Sequence, residues 1–186
     1  MTTSTVVPPE VELDAGLDAE SALELLYAAH WRRLVRLAVL LLHDQGLAEE
    51  VVQDAFVAMH ARWRSLRDPD KALAYLRQTV VNRSRSALRH RGVVERYVAR
   101  QSGALPLAEA ADGPSLDADR RTAVLDALRT LPTRQREVLA LRYYLELSEA
   151  EIAETLGISR GSVKAHASRG SATLRDLLTD HVKGDL

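Results

Sequence analysis

Residues 148–175 read SEAEIAETLGISRGSVKAHASRGSATLR, and this stretch decides the fold. Ser148 and Glu151 stand three apart ahead of an apolar pattern, the spacing of a capping box. Ile152, Ala153 and Leu156 fall on the inward face of a short helix over about 149–156, and Gly157 supplies a left-handed stop. Ser159 then caps a longer helix over about 160–178. In it Val163, Ala167, Gly170, Leu174 and Leu177 recur at steps of four and three, one buried stripe. A short helix, a tight glycine turn and a longer basic helix form a helix-turn-helix over about 148–168, whose second helix can enter a DNA major groove. The face opposite the stripe carries Gly161, Ala165, Ser168 and Ala172, small residues that permit close approach to base edges.

Working outward, two more helices precede this unit, over about 117–130 and 134–145, separated by Pro132. Residues 92–119 contain Gly92, Gly103, Pro106, Gly113 and Pro114 and carry a weak apolar pattern. They read as a linker, part of which (93–101) can continue a helix. Before it stand three helical stretches. The first starts at Ser21 and keeps Leu23, Leu26, Tyr27, Trp31, Leu34, Leu37, Ala38 and Leu41 on one face, ending near His43–Gly46 with Gly46 as the expected cap. The second covers about 47–66, with Val52, Ala55, Phe56, Met59 and Trp63 inward. The third covers about 69–90, with Pro69 in its first position and Leu73, Leu76, Val80 and Leu88 inward. Residues 1–20 read as a flexible acidic tail.

Composition agrees. The 186 residues are 46% hydrophobic and only 4% aromatic, with nine glycines and six prolines, which favours helices over sheet. No cysteine is present, so disulfides, thiolate metal sites and thiol redox sensing by this chain are excluded. The longest apolar run, Leu37 to Leu42, is far short of the roughly 20 residues a membrane helix needs. The N-terminus has neither the basic nor the apolar region of a secretory signal, so a cytoplasmic location is the expectation.

The formal net charge of −1 hides an uneven distribution. Residues 1–30 hold acids and no Lys or Arg. Residues 67–100 are strongly basic, residues 101–119 are acidic without a base, and Arg160, Lys164, Arg169 and Arg175 make the last helix basic again. Two basic blocks around an acidic spacer suggest two contacts with a polyanion. Catalysis is not expected: the six histidines are scattered, and there is no metal-binding spacing or glycine-rich phosphate loop. No cofactor or metal is expected either.

At this point a resemblance is visible. Residues 131–175 resemble region 4 of a group 4, or extracytoplasmic-function, sigma factor of the sigma-70 family, with an actinobacterial flavour. AEEVVQDAFVAMHARW (residues 48–63) resembles the polymerase-binding helix of region 2, and ALAYLRQTVVNRSRSALRHR (residues 72–91) resembles its −10 recognition helix. The resemblance implies an all-α chain of two small helical domains joined by a flexible linker. Region 2 would span 21–91, the linker 92–119, and region 4 120–183.

The resemblance also implies roles. Glu50, Gln53, Asp54 and Phe56 would dock on the clamp of core RNA polymerase, region 4 on its flap. Arg77, Asn82, Arg83, Arg85, Arg89 and Arg91 would contact the −10 element, where a pocket for a flipped base belongs near residues 65–70. Arg160, Ser162, Val163, Lys164, His166 and Arg169 would contact the −35 element. The implied partners are core polymerase, promoter DNA and an anti-sigma factor, with no membrane contact of its own. Three positions depart from the family pattern: Tyr75 replaces a usual Trp, Ser86 a usual Asp, and Ala165–His166 a usual Ser–Arg pair. A stand-alone regulator of the LuxR type is the alternative, because its DNA-binding domain shares the 135–166 pattern. It would need a receiver or ligand-sensing domain in residues 21–91, and no strand–helix alternation appears there.

Overall fold

The structure, a computed structural model, describes residues 18–66, 68, 71–102 and 116–184. Most of the acidic tail, Pro69 and residues 103–115 of the linker lie outside the described residues. Among the described residues the regular elements are helical, without strands. In order they are α1 (Ala19–Leu42), α2 (Gln45–Arg62) running into a 3₁₀ turn (Trp63–Ser65), α3 (Ala72–Ser102), α4 (Leu116–Thr130), α5 (Thr133–Leu139) running into a π-helical turn (Ala140–Tyr144), α6 (Glu149–Leu156) and α7 (Arg160–Gly184).

The helix starts follow their caps. The Asp18 side chain accepts from the amides of Glu20 and Ser21, holding the first turn of α1. Asp44 accepts from the Leu47 amide and opens α2. Between them His43 takes the left-handed conformation, φ 56°, and its amide bonds the Val39 carbonyl. The residue that closes α1 is therefore His43. Gly46, expected in that role, lies inside the first turn of α2, because the Asp44 cap starts that helix two residues earlier than its apolar pattern does. The third helix also runs further than expected: α3 passes Gly92, which faces open space, and continues to Ser102. Part of the expected linker is thus helix.

In the first half α1, α2 and α3 pack through Leu34, Leu37, Ala38, Leu41, Val52, Ala55, Met59, Leu76 and Val80, all buried. Each follows the period-3.6 stripe read from sequence. In the second half α5 and α7 approach closely at Gly170. A Cβ there would stand 3.1 Å from Leu139 Cδ1 and 3.2 Å from Gln135 Cβ, so the missing side chain is what lets the helices meet.

The two halves do not stand apart. One continuous buried cluster joins Leu26, Leu37 and Val80 of the first half to Val138, Leu141, Ile152 and Val163 of the second. The helix α1 packs on α4, α5 and the π turn, and α3 packs on α6.

Candidate nucleic-acid interface

The α7 end of the site is set by three local devices. Ser148 Oγ accepts from the Glu151 amide at 3.3 Å, while Glu151 Oε2 accepts from the Ser148 amide at 2.8 Å, completing the capping box. The Ser148 hydroxyl, which donates to Glu151 Oε2 at 2.6 Å, and the Ser148 amide hold the Glu151 carboxyl below the usual carboxylate range against the opposing effect of burial, with Arg77 adding to the lowering. Gly157, at φ 65°, turns the chain, and Ser159 accepts from the Ser162 amide to start α7. The expected outward face is outward: Arg160, Gly161, Lys164, Ser168, Arg169 and Ala172 are exposed, and Ala165 is half-buried. Lys164 keeps 69% of its side chain in solvent and lies 3.8 Å from Glu149. Ser162 is half-buried and shares a 2.9 Å hydrogen bond with Ser159.

Two of the expected −35 residues sit differently. Val163 is fully buried beside Ala167 in the core, so its side chain holds α7 in place and cannot reach a base. His166 is half-buried, and its Nδ1 has no hydrogen-bond partner among the described residues.

On α3 the expected −10 residues are brought to one stretch of helix, and all but Arg77 already hold a side-chain partner. Arg83 Nη1 donates to Asp54 Oδ2 at 2.6 Å. Arg85 donates from Nε to Glu137 Oε1 at 2.6 Å and from Nη2 to Glu137 Oε2 at 2.9 Å, and from Nη1 to Asn82 Oδ1 at 3.0 Å. Arg89 donates to Ser86 Oγ, and Arg91 pairs with Asp44 at 3.5 Å. Burial pushes the Arg77 guanidinium below its usual range, while Glu151 across from it works the other way.

On α2, Glu50 and Gln53 are exposed and Asp54 is bound to Arg83. Phe56, expected on the docking surface, is 5% exposed. Its ring meets Tyr27 edge-on at 5.2 Å, and Tyr27 stacks on Trp31 at 4.6 Å. Phe56 therefore supports the face from beneath, and Tyr27 and Val57 are the apolar groups that solvent sees.

Sequence comparison places the Sigma-70 region 2 family on residues 26–93 and the Sigma-70, region 4 family on residues 121–174. The RNA polymerase sigma-E factor of Streptomyces coelicolor is 32% identical over 149 residues, 78% of this chain and 79% of the relative. The RNA polymerase sigma factor CarQ of Myxococcus xanthus is 33% identical over 161 residues, 86% of this chain and 91% of the relative. The ECF RNA polymerase sigma factor SigM of Mycobacterium tuberculosis is 30% identical over 84% of this chain and 77% of the relative. The chain belongs to the extracytoplasmic-function sigma factors.

Solved structures agree. The sigma factor RpoE of Bartonella quintana, in complex with the anti-sigma factor NepR, matches with a TM-score of 0.68 and 26% identity over 84% of this chain and 96% of that one. CnrH, in complex with the cytosolic domain of CnrY, matches with a TM-score of 0.65 and 25% identity over 87% and 95%. The region 2 match removes the LuxR-type alternative, since residues 26–93 are then no receiver or sensing domain.

In this sigma factor the departures from the family pattern have local partners. Tyr75 lies under the Arg62 guanidinium, 5.4 Å from ring centre to charge, a cation–π contact. Ser86 Oγ donates to the Asn82 carbonyl and accepts from Arg89, so a neutral hydroxyl orders the helix surface there. Sequence reading missed Glu137, Arg136 and Arg33. Each reaches across from one half to the other, and no local spacing announces such a partner. No described helix is long and apolar enough to cross a membrane.

Proposed function

We propose that this sigma factor directs core RNA polymerase to promoters in the cytoplasm, reading the −35 element with α7 and the −10 element with α3. The observation that carries this is the exposed face of α7. Arg160, Lys164 and Arg169 flank the small residues Gly161, Ala165 and Ser168 at the start of a capped helix. Cations at the edges hold phosphates, and small residues between them let bases approach. Arg77, Asn82, Arg83, Arg85, Arg89 and Arg91 serve the −10 element, and the exposed Glu50 and Gln53, with Asp54, dock on the polymerase clamp. The chain acts as a specificity subunit without chemistry of its own. An anti-sigma factor restrains it, as the relatives solved with such partners suggest.

Co-elution with purified core polymerase tests the docking. Wild-type chain is expected to co-elute in a one-to-one complex, and Glu50→Arg with Gln53→Arg to weaken it by about tenfold or more, the scale of like-charge or unpaired groups at an interface. Equal binding by both would refute the α2 assignment.

A further inference from the structure

A cleft of about 550 Å³ opens between α3 and α6. That volume lies within the roughly 300–1,000 Å³ that small organic ligands occupy. Contacts outside the cleft hold its walls. Arg85 of α3 grips Glu137 of α5 with two bonds. Arg33 of α1 donates to the Tyr144 and Leu145 carbonyls at the end of the π turn, and Arg136 of α5 donates to the Leu41 carbonyl at the end of α1. A ligand entering such a cleft has little left to order, which favours binding.

The two walls differ in chemistry. Arg62, Lys71 and Arg77 make the wall from α2 and α3 cationic, around the half-buried ring of Tyr75. Arg62 lies over that ring, 5.4 Å from its centre, and Lys71 stands 3.5 Å from Asp68. Arg77 is half-buried and has no side-chain hydrogen bond or ion pair among the described residues. A charge drawn out of water without a partner is costly, so an anion delivered to Arg77 offsets that cost. The α6 wall is acidic. Glu151 is engaged by the Ser148 amide and hydroxyl, whereas the exposed Glu154 carboxylate has no such bond among the described residues. Buried Thr155 completes that wall.

A simple anion would be repelled by one wall and a simple cation by the other. A molecule with a phosphate at one end and amino N–H donors at the other suits both. We propose that this cleft binds a free nucleoside phosphate whose base carries an exocyclic amine, with the phosphate on Arg77 and Lys71 and the amine on Glu154. The flipped base of a −10 strand is expected near residues 65–70, an expectation in which α6 has no part. The molecule proposed here is held by both halves of the chain. The proposal does not rest on the promoter-reading roles given above.

Adenosine 5′-monophosphate is titrated calorimetrically into the full chain, without polymerase or DNA. One-to-one binding with a dissociation constant below about 1 mM is expected. The thermal midpoint should rise with nucleotide concentration, as it does for any ligand of the folded state alone. Arg77→Gln and Lys71→Ala should each weaken binding about tenfold, the scale of one charge-assisted hydrogen bond. Lys71 is exposed, so its variant carries the test if Arg77→Gln loses helicity. Glu154→Ala should weaken adenosine monophosphate by a similar factor and leave ribose 5-phosphate, which has no base, unchanged. Absence of saturable binding at millimolar concentration overturns the site. Binding that the Arg77 and Lys71 variants weaken, but that Glu154→Ala and loss of the base leave unchanged, overturns the nucleotide assignment in favour of an anion site only. A nucleotide within a DNA strand carries the same chemistry. If a fluorescent single strand loses as much affinity with Glu154→Ala as the free nucleotide does, the cleft belongs to the strand and the proposal is overturned.

Discussion

Arg83 and Asp54 meet at 2.6 Å across the α2–α3 contact, joining a residue assigned to promoter reading to one assigned to polymerase docking. The pair is half exposed, 39% and 55% for the two side chains. Its contribution to stability is therefore small, while its position links the two faces proposed above for promoter and polymerase.

Replacing Asp54 by Ala is expected to shift the unfolding free energy by no more than about 1 kcal/mol, the range of exposed ion pairs. The same substitution should lower affinity for core polymerase, with Arg83 released. Denaturant unfolding and core titration on one variant separate the two effects. A loss of several kcal/mol would mean that the pair is structural.

Gly170→Val should destabilise the chain by about 1–3 kcal/mol, the usual cost of overpacking. The added atoms run into Leu139 and Gln135 of α5. A lowered midpoint in denaturant with an unchanged slope is the expected result.

Lys164→Ala should weaken binding to −35 duplex and reduce the slope of log affinity against log salt by about one, as loss of one phosphate contact does. Stability should stay nearly constant, because Lys164 is exposed and its distance to Glu149 is 3.8 Å. Val163→Ala should do the reverse, costing about 0.5–2 kcal/mol of stability through a buried site before any effect on recognition.

His43 gives the chain a pH dependence. Burial, then the charges of Arg136 and Arg129, push its pKa down from 6.5 to about 4, with Asp126 opposing. The neutral ring receives Arg136 Nη1 at 3.1 Å, and protonation would set two cations together. A base whose folded pKa is depressed stabilises the fold fully above its unfolded pKa, and that contribution is lost as pH falls from about 6.5 to about 4. Thermal midpoints should drop over that window. His43→Asn, which tolerates the left-handed backbone, should flatten the drop and leave the residual slope of His30, also pushed down by burial.

What was legible in the sequence was short-range. The capping box at Ser148, the turn at Gly157 and the stripe from Val163 to Leu177 are set by spacings of three and four residues, and each stands where those spacings put it. Val163 belonged to that stripe by its period, and its burial outweighs the motif position that suggested DNA contact. The end of α1 near His43 follows from the sequence, but its cap does not, because a left-handed histidine is uncommon and Gly46 looks the better stop. The Arg85–Glu137 pair was not legible at all. Its members are 52 residues apart, and each alone reads as a charge on a solvated face. Phe56 was ambiguous for a related reason: an aromatic on an acidic helix face serves core and surface equally well until its neighbours Tyr27 and Trp31 are placed.

Run-off transcription tests the central claim most directly. Purified core polymerase would be supplied with fragments of the source genome, with and without this chain. New transcripts starting at defined promoters, lost with Lys164→Ala or Arg83→Ala, are the expected result. No new transcripts, with no binding to core and tight binding to a duplex operator alone, would contradict the account.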